Sequence, residues 1–61
     1  MEEQVQAIEH YCQLISMRLK ELREHDLPDE EAHTLFNDVE TYARQMIKVA
    51  KNAQKSLGVG R

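Results

Sequence analysis

The chain has no tryptophan, a single phenylalanine, two tyrosines, one proline and one cysteine, and both of its glycines fall within the last four residues. Each shortage closes a route. A sheet would want more aromatic and β-branched residues, so helices packed through aliphatic side chains are expected. Cys12 has no second cysteine to bridge, and no CxxC or Cys/His spacing offers a zinc site. A domain this small without disulfides points to a reducing compartment, and a cytoplasmic location is expected. No apolar run approaches the roughly 20 residues that span a bilayer, and Glu2 and Glu3 are the opposite of a signal peptide's basic start. No glycine-rich loop is present to cradle a phosphate. At 61 residues the chain makes one domain, spanning 1–61 and near the lower size limit for folding alone.

Charge is present but sorted. Residues 1–25 carry five acids and three bases, and 26–40 carry six acids and no base. Residues 41–61 carry five bases and no acid, so a formal net charge of -3 conceals a strong partition along the chain.

The apolar residues have helical periods. Val5, Ile8, Cys12, Ile15, Leu19 and Leu22 are spaced alternately three and four apart, which is a heptad seam rather than the alternation of a strand. Ala7, Tyr11 and Leu14 make a second row beside it, and a helix is expected over about 2–24. The sequence His25-Asp26-Leu27-Pro28 interrupts it. Proline pushes Leu27 out of the helical region and suits the first turn of a new helix, where Asp29, Glu30 and Glu31 meet the positive end of the dipole. Ala32, Leu35, Val39, Tyr42, Met46, Val49 and Ala53 continue the heptad spacing, flanked at sevenfold intervals by Phe36, Ala43, Ala50 and Leu57. A second helix is expected over about 28–57, ended by Gly58, with a frayed tail at 58–61.

A connection of about three residues forces two such helices antiparallel, so the expected fold is all-α, a helical hairpin. This arrangement sets Arg18, Lys20 and Arg23 beside the acidic start of the second helix, and Glu2, Glu3 and Glu9 beside its basic end. Two helices alone touch along one line, whereas each apolar face here is three rows wide. A homodimer forming a four-helix bundle buries all three, with closed twofold symmetry the commonest solution; docking on a different protein is the rival.

No catalytic set emerges, and a non-enzymatic chain without cofactor or metal is expected. His25, Asp26, Asp29 and His33 cluster near the turn, but turn chemistry and the helix dipole account for them without a metal. Cys12 sits on the seam as a small hydrophobe, with neither His10 nor His25 on its face to activate it. The paired carboxylates Glu2/Glu3 and Glu30/Glu31 read as solvated helix termini. Arg44, Lys48, Lys51 and Lys55, spaced four, three and four, form one basic stripe that offers contact to nucleic-acid phosphates. The acidic balance and the lack of an exposed aromatic beside the stripe favour a solvated face instead. Met17 and Ile47 lie off the seams, and Leu27 caps the turn; together they offer a docking patch for another protein.

The plan of two heptad-patterned helices joined by an acidic turn, Leu22–Ala32 (LREHDLPDEEA), resembles the Rop family of plasmid copy-number regulators. That resemblance implies a dimeric four-helix bundle and paired RNA stem-loops as ligand. This chain departs from the family in carrying its basic stripe on the second helix, whereas the family contacts RNA mainly through the first. In size and character the chain is also similar to small early-region proteins of temperate enterobacterial phages, which implies an accessory regulatory role. The functional expectation is a homodimeric, phage- or plasmid-encoded module that regulates another protein by binding it. The alternative is a nucleic-acid-binding regulator that uses the basic stripe.

Overall fold

The structure, a computed structural model, describes residues 1–58. Helix α1 spans Glu2–Glu24 and helix α2 spans Asp29–Leu57, with no strand among the described residues. The expected bounds of α1 coincide with those observed. Helix α2 begins one residue later than expected, because Pro28 stands as its N-cap, with φ -59° and ψ 154°. That geometry suits proline, which has no N–H to lose and a fixed φ, while its carbonyl accepts the first helical bond from Ala32 N–H at 3.0 Å.

Neither helix has a side-chain N-cap; acids in the first turns, Glu2 and Glu3 in α1 and Asp29, Glu30 and Glu31 in α2, oppose the positive dipole ends instead. Helix α1 stops at His25, whose extended backbone (φ -126°, ψ 143°) still donates its N–H to Glu21 O at 3.1 Å. Gly58 closes α2 in the left-handed region, φ 67°, with its N–H on Lys55 O at 3.0 Å. A residue with a Cβ is strained at that φ, which is why glycine stands there. The rest of the expected frayed tail, residues 59–61, lies outside the described residues.

The helices form an antiparallel hairpin with extents of 46 × 19 × 13 Å. The smallest of these is little more than one helix with its side chains, roughly 10–12 Å. The hairpin is therefore a single layer with both broad faces open. No described residue is buried; the best-covered side chains are only half-buried. Among the described residues no helix is long and apolar enough to cross a membrane.

Candidate functional site

The half-buried residues of α1 define the line that faces α2: Gln4, Ile8, Tyr11, Ile15, Arg18 and Leu22, with Ala7 and Leu14 beside it. On α2 the facing line is Ala32, Leu35, Val39, Tyr42, Met46, Val49 and Ala53. The sequence-derived seam of α2 thus runs along the contact with α1. The seam of α1 divides. Ile8, Ile15 and Leu22 face α2, whereas Val5, Cys12 and Leu19 are exposed on one flank.

Two cross-helix contacts tell the broad faces apart. On one, Arg18 donates from Nε to Asp38 Oδ2 at 3.2 Å and from a terminal nitrogen to the Tyr42 hydroxyl at 3.4 Å. Its guanidinium carbon lies 5.8 Å from the centre of the Tyr42 ring, which itself sits 6.0 Å from Tyr11. This is a cation–π and aromatic stack held between two helices, and Arg18 and Asp38 are about two-thirds covered or more. Gln45, seven residues beyond Asp38, continues that face in polar form.

On the other face, Cys12 Sγ makes a weak hydrogen bond to Met46 Sδ at 3.7 Å. Cys12 and Arg18 are six residues apart, about 120° around α1, so they mark opposite flanks of its contact line. Val5 and Leu19, seven residues either side of Cys12, share its flank. Met46 lies between Ala43 and Ala50 on the helix surface, so the sevenfold row Phe36, Ala43, Ala50 and Leu57 borders the same face. Val5, Leu19, Phe36 and Leu57 are 43%, 40%, 57% and 56% exposed. Side by side, the two rows make one continuous apolar strip along the hairpin. Ile47, also exposed, adjoins it from the outer side of α2, while Met17 stands apart on the outer side of α1. Leu27 is half-buried at the turn.

The four basic residues Arg44, Lys48, Lys51 and Lys55 are all exposed, on the side of α2 turned away from α1. Arg44 is paired within its own helix to Glu40, at 2.6 Å. Of the three α1 bases expected beside the acidic start of α2, the structure pairs Arg18, with Asp38. A shallow hollow of about 320 Å³ at the turn is lined by Glu21, Leu27, Glu30, Glu31, Thr34 and Leu35. Among the described residues no three His, Cys, Asp or Glu side chains stand together as a metal site would require, His25, Asp26, Asp29 and His33 included.

Sequence reasoning missed Arg18 and Gln4 as contact-line residues. Gln4 Oε1 is out of solvent with no hydrogen-bond partner among the described residues. The signal was present: Gln4, Ile8, Tyr11, Ile15, Arg18 and Leu22 keep the heptad spacing, but two of the six are polar. Compared with known proteins, the chain matches no family model, no curated protein and no solved structure.

Proposed function

We propose that this chain is a non-enzymatic interaction module that works as a homodimer, two hairpins closing into a four-helix bundle, and regulates another protein by binding it. The observation that carries this reading is the apolar strip through Val5, Cys12, Leu19, Phe36 and Leu57 on a hairpin with no buried residue among those described. An isolated helix pair gains little from packing a single line of half-covered side chains, and helices in water draw most of their stability from tertiary burial. Covering the strip supplies the missing core. A second copy is the partner always available at matching concentration, and a twofold interface needs only one self-complementary patch. The exposed outer faces of α1 and α2 stay uncovered in such a dimer and are open to a further protein.

Mass action supplies the test. If folding and pairing are one event, the melting temperature followed by circular dichroism rises with chain concentration. A melting temperature constant from 1 to 100 μM, at full helicity, overturns the homodimer.

A second reading rests on the outward basic stripe. Arg44, Lys48, Lys51 and Lys55 point away from α1, where a polyanion has access. Phosphate contact would make affinity fall with salt at a log–log slope of about -0.9 per contact on duplex DNA. The acidic stretch from Asp26 to Glu40 opposes a long polyanion laid along the bundle, and we expect feeble retention of RNA or DNA at ~150 mM salt. Tight binding to a defined stem-loop, lost in a Lys48→Glu/Lys51→Glu variant of unchanged helicity, would promote this reading over the first.

A further inference from the structure

We infer that the second copy sits head to tail on the Cys12 face, its turn at the opposite end, about a twofold axis that passes beside Cys12 and Met46. The inference rests on the homodimer proposed above and adds its register and direction.

Register comes first. Cys12 is the middle of the row Val5–Cys12–Leu19. Residues 46 and 47 are the middle of the row from Phe36 to Leu57. Cys12 touches Met46, so both rows are centred at one level of the hairpin. A twofold axis crossing the strip at that level matches each row with itself. Val5 meets the partner's Leu19, Ala43 meets the partner's Ala50, and Phe36 meets the partner's Leu57. Size follows the same plan. Alanines at the centre let the two α2 helices approach closely, and the largest apolar residues of the strip fill the ends.

Direction comes from charge. A twofold axis running along the bundle would also cover the strip, by laying α1 on the partner's α2. It would gather both acidic stretches, residues 26–40 with six acids each, at one end of the bundle. The head-to-tail arrangement instead sends the two acidic stretches to opposite ends of the bundle and sets Asp38 at the level of the partner's Lys55. At the same register Glu40 falls close to the level of the partner's Lys51. The two acidic stretches no longer repel across one end of the bundle, and charge placement of this sort selects between arrangements whose apolar contacts are equivalent.

Distance between copies decides the matter. Cys12→Ala/His33→Cys removes the native thiol and places a nitroxide label on the exposed outer side of α2, near the turn. Residue 33 is some 13 residues from the axis, so at 1.5 Å per residue pulsed electron–electron resonance should read about 40 Å head to tail. With both turns at one end, helices packed 8–10 Å apart would bring the labels to about 25 Å. The shorter distance overturns the head-to-tail arrangement and keeps the dimer. A folded protein with no dipolar coupling overturns both. The unmodified chain gives a second measurement that needs no substitution. Isotope-filtered nuclear Overhauser spectra of a mixed labelled and unlabelled sample should connect the Phe36 ring to the partner's Leu57 methyls. Contact with the partner's Leu19 methyls in their place contradicts the inference.

Discussion

The two broad faces of this hairpin are built from the same two helices, yet they end differently. On the Arg18 face the contact line closes on itself. A guanidinium spans the helices to Asp38 and Tyr42, covers an aromatic ring, and leaves polar neighbours such as Gln45 toward water. On the Cys12 face the only cross-helix polar contact among the described residues is the sulfur pair with Met46, and the row beyond it is valine, leucine, phenylalanine and alanine. One face satisfies its groups within a single chain. The other leaves its apolar surface exposed. The difference teaches that the α1 apolar seam divides, with Ile8, Ile15 and Leu22 turned to α2 and Val5, Cys12 and Leu19 turned outward.

The largest effect is expected where the two faces share a residue. Ile15 lies mid-line, half-buried against α2, and a carboxylate there has no partner to offset its desolvation. Ile15→Asp should abolish cooperative melting and most helicity at 25 °C. Unchanged circular dichroism and melting for this variant would break the assignment of the contact line itself.

A smaller loss is expected on the closed face. Arg18→Ala removes a partly screened ion pair, a long Tyr42 contact and a cation–π contact, together worth about 1 kcal/mol. The melting temperature should fall by several degrees while the oligomeric mass stays unchanged. A change of mass here, and none from the Cys12 face, would reverse the roles of the two faces.

The smallest effect is a gain. Gln4 occupies the contact line with its carbonyl oxygen unpartnered among the described residues. Replacing it by leucine removes an unsatisfied acceptor and adds apolar contact, so Gln4→Leu should stabilise by about 1 kcal/mol in denaturant titration. A destabilisation of similar size would show that the amide is satisfied in solution by a group from the partner or solvent.

Much of this fold was legible from residue types alone, and the reason is local. The proline after Leu27, the three acids that follow it and the glycine at 58 are positional signals whose physics acts within a turn or two, so helix bounds came within a residue. The contact line of α2 was equally plain because it is apolar from Leu35 to Ala53. The line of α1 was not. Gln4 and Arg18 sit at its heptad positions, and a pattern sought among apolar residues is drawn sideways onto Val5, Cys12 and Leu19. Arg18 belongs there because its stem packs while its head reaches Asp38, a partner 20 residues away that no local rule supplies. The same holds for the meeting of Cys12 with Met46. That contact sets the level at which the two exposed rows align, and it depends on the length of the turn and the stagger of the helices.

The claim that the Cys12 face, and not the Arg18 face, receives the second copy is tested most directly by one matched pair of variants. Ala43 and Gln45 are two residues apart on α2 and stand on opposite faces, so Ala43→Glu and Gln45→Glu place the same carboxylate on each side. Sedimentation equilibrium at micromolar concentration should give Gln45→Glu a mass near twice 7.1 kDa, as for the unaltered chain, and Ala43→Glu a mass near 7.1 kDa with diminished helicity. A doubled mass for both variants, or loss of pairing in Gln45→Glu alone, would contradict the account.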